Sequence, residues 1–403
     1  EVRGEVAKHI SNNWSDVKSR YVSDVMEHVR AKAMLPSAIE QPAWLGDAPH
    51  GWAAEDCLAT RDAIVHLPSL AAQREPAIIA ASPSLWTTTA TEFAIDLQAP
   101  RPESWLRFLD DLWGNDAESI QLLQEWFGYC LTSDTRQHKM LLVVGPPRSG
   151  KGTVGRVLTA LVGKGNVAAP TLGGLSTNFG LWPLIDKGLA IISDARLSRR
   201  ADQDPVVERL LSITGEDSIT VDRKNLAPLT LRLPTRFMIM SNELPRLSDA
   251  SAAVVSRFLV LRTATSWLGR EDHELESRLL AELPGILSWA IEGWRRLRER
   301  GPFCQPASGA EAGGTMNDLA SPVGAFVREC CSVEVGLRVA KQVLFEAWQQ
   351  WCGQHGRGMS AGSLETFSRD LFAAAPGVRS ARHRVGGRRI NFFSNITLRT
   401  SSR

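Results

Sequence analysis

The sequence predicts an α/β fold built on a buried parallel sheet, with a mainly helical region before it and a small helix-and-hairpin unit after it. Three observations carry this. Met140–Val144 is an apolar run that breaks at Gly145 into Gly-Pro-Pro-Arg-Ser-Gly-Lys-Gly-Thr and resumes as a helical pattern at Val154, Val157, Leu158 and Leu161. Three further short apolar runs, Leu189 to Asp194, Phe237 to Ser241 and Phe258 to Leu261, alternate with helical stretches, as in a parallel sheet covered on both faces. Helical spacing dominates both flanks of this core.

Bulk properties narrow the class. At 403 residues the chain is too long for one ordinary core, so two or three domains are expected. Hydrophobic content of 43% with 22% charge describes a globular chain. A net charge of +2 does not by itself argue for nucleic-acid binding, so any basic surface must be local. Six cysteines show no CxxC spacing, which fits free thiols in a reducing cytosol and no metal framework. Charges at Glu1, Arg3, Glu5 and Lys8 argue against a secretory signal, and no run of about 18 apolar residues is present.

In chain order, Val2, Val6, Ile10, Trp14, Val17, Tyr21, Val25 and Val29 form one helical stripe stopped at Pro36. Residues 36–102 hold short apolar pieces, with Ile64–Val65, Ile78–Ile79 and Phe93–Ile95 as candidate strands. Helices are expected over Glu103 to Trp113 and after a cap at Asp116. The tryptophans at 14, 44, 52, 86, 105, 113 and 126 are expected in the core. Ser133-Asp134-Thr135 is a polar turn before the first sheet strand. Ile219 to Asp222, a turn at Arg223-Lys224-Asn225, and Leu229 to Leu233 predict a hairpin with a basic tip, suited to gripping a DNA backbone. Helices resume from Glu271 to Arg300, and the Gly-, Ala-, Ser- and Pro-rich segment 301–321 is expected to be a linker. Helices near Pro322–Cys331, Ala340–His355 and Ser363–Ala374 then precede a hairpin from Val378 to Arg399 with Gly386-Gly387 at its tip, the order of a winged-helix module. Residues 379–403 hold arginines at 379, 382, 384, 388, 389, 399 and 403 and no acid, a stripe suited to phosphates, with Arg388 and Arg389 as candidate contacts.

Strand, glycine loop with lysine, then helix is the recipe for a nucleoside triphosphate site, since backbone N–H groups, a helix N-terminus and an ammonium converge on phosphate. The candidate phosphate-binding residues are Gly145, Pro146, Pro147, Arg148, Ser149, Gly150, Lys151, Gly152 and Thr153. The strict pattern wants Ser or Thr after the lysine; Gly152 stands there, so the metal hydroxyl falls to Thr153. Asp194, ending an apolar strand, can hold Mg²⁺ directly or through water. Ala195 follows it, where many motor ATPases place a glutamate, so the base stays open among Asp194, Glu216, Asp217 and Glu243. Asn242 can meet the γ-phosphate or the attacking water. Arg257 can act as an arginine finger in trans, with Arg262 as the alternate.

Together these motifs, Gly-Pro-Pro-Arg-Ser-Gly-Lys-Gly-Thr, Ile-Ile-Ser-Asp194, Gly215-Glu-Asp-Ser-Ile-Thr-Val-Asp-Arg-Lys, Phe-Met-Ile-Met-Ser-Asn242-Glu-Leu-Pro and Ser-Arg257-Phe, resemble the superfamily-3 helicases of the phage and plasmid primase–helicase type, related to the poxvirus primase–helicase. The resemblance covers roughly residues 60 to 390, including Trp105-Leu-Arg-Phe-Leu and the stretch Leu123 to Thr132. It implies an AAA+-like, ring-forming ATPase, usually hexameric, using ATP and Mg²⁺ between subunits and moving on single-stranded or forked DNA. By resemblance Lys151 meets the β/γ-phosphates, Asp194 the Mg²⁺, Asn242 is the sensor, Arg257 the finger, and Arg223 or Lys224 the pore contact. It implies a role in phage, prophage or plasmid replication in the cytoplasm of a bacterial host, with no membrane partner. The chain reads as the helicase part of a primase–helicase or as a helicase served by a separate primase.

The expected domains are a helical collar or oligomerisation domain over 1–136, the ATPase over 137–300, a linker over 301–321 and a winged-helix-like DNA-binding unit over 322–403. Two other functions fit parts of the sequence. An ATP-switched initiator or loader without unwinding activity fits Ala195. A small-molecule P-loop kinase fits only the Gly-Lys-Gly-Thr ending.

Overall fold

The computed structural model describes residues 2–14, 18–36, 39–87, 89–195, 204–245, 247, 249, 251–357, 361–385 and 388–399. The stripe expected as one N-terminal helix forms two, α1 (Val2–Asn13) and α2 (Ser19–Ala33). Val17 lies outside the described residues. Ser11-Asn12-Asn13 favours the break, because short polar side chains compete for backbone groups; the Asn13 amide donates to His9 O at 2.8 Å. The two helices then pack on each other through Ile10, Val22 and Met26.

A two-stranded ribbon, β1 (Ala43–Trp44) with β5 (Leu85–Trp86), flanks an antiparallel sheet of β2 (Cys57–Ala59), β3 (Ala63–His66) and β4 (Ile78–Ala80), with the short helix α3 (Leu67–Ala71) between β3 and β4. The expected strands at Ile64–Val65 and Ile78–Ile79 are therefore present. Phe93–Ile95 is irregular chain instead, held by Arg61 N donating to Phe93 O and Ile95 N donating to the Asp62 carboxylate. Helices α4 (Glu103–Trp113) and α5 (Ala117–Cys130) follow, and Asp116 caps α5 by accepting from Ser119 N at 3.1 Å. Trp52, Trp105, Trp113 and Trp126 are buried as expected and Trp44 is half-buried. Trp14, at the end of α1, and Trp86, on the thin ribbon, are 62% and 41% exposed.

The central sheet contains β6 (Met140–Val144), β7 (Val167–Ala168), β8 (Leu189–Ile192), β11 (Arg236–Ser241) and β12 (Phe258–Arg262) in the order β12-β6-β11-β8-β7, every pair parallel. Alternation along the strands divides the core. Leu141, Val143, Met238 and Met240 face α5 and helix α6 (Lys151–Val162). Met140, Leu142, Phe237 and Ile239 face α7 (Asp204–Thr214). Between α7 and β11 an antiparallel hairpin, β9 (Ser218–Arg223) and β10 (Leu226–Arg232), stands out largely exposed. Helix α8 (Ala253–Ser256) leads into β12.

Helices α9 (Leu275–Ala281) and α10 (Leu283–Arg300) follow, and α10 packs on α5. Glu125, on the buried face of α5, accepts from Arg296 Nε at 2.8 Å and from Arg300 at 2.9 and 2.5 Å. The segment expected as a linker, 301–321, instead carries α11 (Ala307–Ala320), with Ala312 and Met316 in the sheet's core. Its small residues, which suggest a linker, serve close packing. A Cβ on Gly309 would fall 2.0 Å from Val260 O on edge strand β12. Just before α11, the Gln305 amide bonds Val260 N at 2.9 Å and Val260 O at 2.8 Å, so it satisfies the strand edge as another strand would.

The last unit runs α12 (Pro322–Cys330), β13 (Cys331–Ser332), β14 (Arg338–Ala340), α13 (Lys341–Gln354), α14 (Leu364–Ala374), β15 (Arg379–Val385), β16 (Arg388–Ser394) and β17 (Thr397–Leu398). The three helices and the hairpin fall where expected; the tip at Gly386-Gly387 lies outside the described residues. Phe326, Trp348, Phe367 and Phe393 form a separate core here. Among the described residues no helix is long and apolar enough to cross a membrane.

Candidate functional site

Strand register assembles the site. Val144, at the end of β6, pairs with Ser241 of β11 and Arg262 of β12, and Ile239 pairs with Ile192 of β8. Gly145, Asn242, Thr263 and the Ser193-Asp194 pair therefore leave the sheet at its carboxyl edge, where parallel sheets bind ligands. Ala195 N donates to Met240 O at 3.1 Å, which ties the Asp194 segment to the strand leading to Asn242.

The loop after β6 is clamped by the chain after β12. Thr263 N donates to Val144 O at 2.8 Å, Ser266 Oγ to Pro147 O at 2.8 Å and Trp267 N to Arg148 O at 2.9 Å. Ser149 is buried, 2.8 Å from Thr263 Oγ1. Gly150 has φ +85° and lies against Leu112 and Phe108 of α4, so a side chain there meets both strain and a wall. Lys151, only 8% exposed, opens α6. Its Nζ donates to Gly145 O at 2.6 Å, Pro146 O at 2.7 Å, Ser149 Oγ at 3.1 Å and Asn242 Oδ1 at 3.2 Å. Burial pushes its pKa down. Two residues 91 positions apart thus meet, as the motifs require. An ammonium resting on carbonyl oxygens beside a helix N-terminus can transfer its hydrogen bonds to an anion entering the loop.

Two clefts flank Lys151. One is lined by Lys151, Gly152, Ser193, Ile191 and Met240. The other, of about 520 Å³, is lined by Thr153, Gly150, Arg148, Phe108, Trp267 and Arg270 among others. Thr153 Oγ1 accepts from Arg156 at 3.2 Å. The expected metal hydroxyl therefore lines the other cleft from Ser193, the neighbour of Asp194. Successive residues at a helix start are turned by about 100°, so Gly152, not Thr153, takes the position beside β8. Ser193 lines that cleft, as does Thr159, whose hydroxyl donates to Gly155 O at 2.8 Å; sequence reasoning passed over Ser193, whose only signal is adjacency to Asp194. Among the described residues no cluster of three or more His, Cys, Asp or Glu offers a complete metal site by itself.

Arg257 lies at the opposite end of the sheet. Met140 N donates to its carbonyl at 2.8 Å, and Phe258 pairs with Met140. The length of β6, about 16 Å at roughly 3.3 Å per residue, separates it from the loop of its own chain. Its guanidinium donates to Thr214 O at 3.1 Å and lowers the pKa of Lys139, after burial as the larger cause. Arg262 is at the loop edge, 3.6 Å from Glu311. Glu216 accepts from Thr135 and from Arg232 at 3.2 Å, next to Asp217 on the Arg257 side, so neither can reach the loop of its own chain as a base. Asp194 and the exposed Glu243 remain.

At the hairpin, Arg223 donates to Ala227 O at 3.0 and 2.7 Å and so reaches across the turn to the partner strand β10, whereas Lys224 is exposed at the tip beside Asn225, φ +60°. Arg389 is exposed on β16 and Arg388 opens that strand.

Comparison with known proteins agrees on where this core lies. A family model described as a family of unknown function (DUF5906) matches residues 143–257, which span Lys151, Asp194, Asn242 and Arg257. The fold is similar to the apo structure of the NrS-1 C-terminal region, at 13% identity and TM-score 0.51, covering 93% of this chain and 90% of that one. An A-form apo structure of the same region matches at 14% identity and TM-score 0.49, with 93% and 90% coverage.

Proposed function

We propose that the chain is an ATP-hydrolysing, ring-forming DNA helicase of the superfamily-3 type, acting in phage or plasmid replication. The observation that carries this reading is the division of the site between two ends of the sheet. Lys151 and Asn242 meet at one end, and Arg257 is held at the other, beyond reach of its own loop. One chain supplies half a site at each end, which fits adjoining subunits of a ring, six by resemblance.

In this reading the loop N–H groups and Lys151 hold the triphosphate, Asn242 reports on the terminal phosphate, and a neighbour's Arg257 neutralises charge that develops during transfer. The Phe108–Trp267 cleft takes the nucleobase. Asp194, with the Ser193 hydroxyl in place of the missing one at position 152, would hold Mg²⁺, which offsets phosphate charge. Glu243, next to Asn242 at the same edge, is the carboxylate best placed to orient water. Lys224 at the hairpin tip contacts the DNA backbone, and the C-terminal unit, a winged helix in its order of elements, adds Arg388 and Arg389 as further contacts.

One observation favours a second reading, an ATP-switched initiator that does not unwind. Ala195 is 3% exposed, so the position usually given to a catalytic glutamate is buried and apolar. Unwinding of a forked substrate separates the two. Lys151→Ala is expected to abolish both ATP turnover and strand separation, measured by phosphate release and strand displacement. Turnover retained in that variant contradicts the site, and wild-type turnover without displacement favours the initiator.

A further inference from the structure

Asn242 and Arg257 stand at the two ends of one connection. β11 ends at the carboxyl edge of the sheet and β12 begins beside Met140 at the amino edge, so residues 243–257 run back along the sheet. Leu247 anchors this return in the core that faces α7. Asp249, two residues on, is half-buried and bonded at every polar group it has. Its N–H donates to Ala320 O, at the end of α11, at 3.2 Å, and its carbonyl accepts from Ala252 N at 2.9 Å. Its Oδ1 accepts from Ser251 N at 3.0 Å and from Ser251 Oγ at 2.6 Å, and its Oδ2 accepts from Val254 N at 2.8 Å.

These bonds hold the element that carries the arginine. Helix α8 has four residues, a single turn with too few internal hydrogen bonds to keep a direction by itself, and Arg257 follows directly as its C-cap. The Asp249 carboxylate satisfies the N–H of Val254, and Ala253 N donates at 3.3 Å to Ser251 Oγ, which Asp249 itself holds. Between them Ala252 has φ +55°, a left-handed conformation that a residue with a Cβ keeps only where its surroundings impose it. Asp249 O, bonded to the Ala252 N–H, is part of what imposes it here. At the far end of the turn Lys139 Nζ donates to Ser256 O at 2.6 Å, and the buried Val254 pins the middle. The direction of Arg257 is thus set from the α11 side by Asp249. Leu247, fixed in the core between Asp249 and Asn242, separates this contact from the sensor.

We propose that Asp249 is a positioning residue for the arginine finger: by capping α8 and fastening it to the end of α11, it fixes the angle at which Arg257 is presented to the nucleotide of a neighbouring subunit. The proposal rests on the reading of this chain as a motor with a site divided between subunits. It assigns Asp249 to the half that is given away, not to the half that binds ATP in its own chain.

The test is ATP turnover by the full chain, alone and in mixtures. Asp249→Ala is expected to lower kcat about tenfold, because a misplaced catalytic group costs rate, and to change the KM for ATP little. Asp249→Asn, which keeps one acceptor for the turn, is expected to fall between Asp249→Ala and wild type. Mixed with Lys151→Ala, Asp249→Ala should recover turnover, since its intact loop then receives a correctly held arginine. Mixed with Arg257→Ala it should not, since neither partner offers one. Recovery with Arg257→Ala overturns the proposal, because Asp249 would then serve its own loop. An unchanged kcat in Asp249→Ala overturns it as well. So does recovery with neither variant while Lys151→Ala and Arg257→Ala restore each other, the result of a general structural defect. Failure of that control pair, with both variants assembled, overturns the divided site and this proposal together.

Discussion

Lys151 shows how much one residue's chemistry is decided by its neighbours. Four acceptors surround its ammonium, three from its own loop and one from Asn242. The loop and the lysine were legible in the sequence because glycine spacing and a strand-to-helix switch are local signals. Which hydroxyl would meet a metal depends on helix geometry instead. Choosing Thr153 follows the order of residues, but a helix turns by about 100° per residue, and the next position looks into another cleft. Ser193, next to Asp194, lines the cleft with Lys151 and Gly152 and is the hydroxyl we propose for the metal. Ser193→Ala is expected to raise the Mg²⁺ concentration for half-maximal turnover about tenfold, the size of one hydrogen bond to a charged group. Thr153→Ala is expected to change it little. A Mg²⁺ titration of ATPase activity distinguishes them, and the opposite order restores Thr153.

Among the elements, the parallel strands were readable and the linker was misread. Short apolar runs that end in polar residues and alternate with helical stretches suit little besides a buried parallel sheet. A segment rich in glycine and alanine suits two quite different structures, and only contact with β12 tells a loose linker from a close-packed helix. Gly309→Ala is expected to destabilise the chain by about 1–3 kcal/mol, because its methyl would overlap Val260 O. Thermal or urea unfolding reads this, and an unchanged midpoint would mean that α11 is not packed on the strand edge. The hairpin was placed correctly, but its two basic residues differ. Arg223 is committed to Ala227 O, while Lys224 is exposed. Lys224→Ala is expected to remove most DNA stimulation of ATP turnover, and Arg223→Ala to remove less. Equal stimulation in both variants and wild type argues against the pore role.

Across the whole molecule, tertiary placement supplies what motif order cannot. A sequence shows Arg257 just after the Asn242 segment, which suggests proximity. Because parallel strands must return to their starting edge, a residue that begins a strand lies a full sheet length from one that ends its neighbour. In the proposed reading, a finger role for Arg257 therefore needs a second subunit. The N-terminal stripe shows the converse limit. Its period was visible, but whether it forms one helix or two depends on what it can pack against, and α1 and α2 pack on each other. The most direct measurement of the divided site is ATP turnover in mixtures of two inactive variants, Lys151→Ala and Arg257→Ala. Each alone is expected to hydrolyse little. Mixed, they form interfaces that join an intact loop to an intact arginine, so turnover should reappear and peak near equal ratios. No recovery at any ratio, with both variants shown to assemble, contradicts a site shared between subunits.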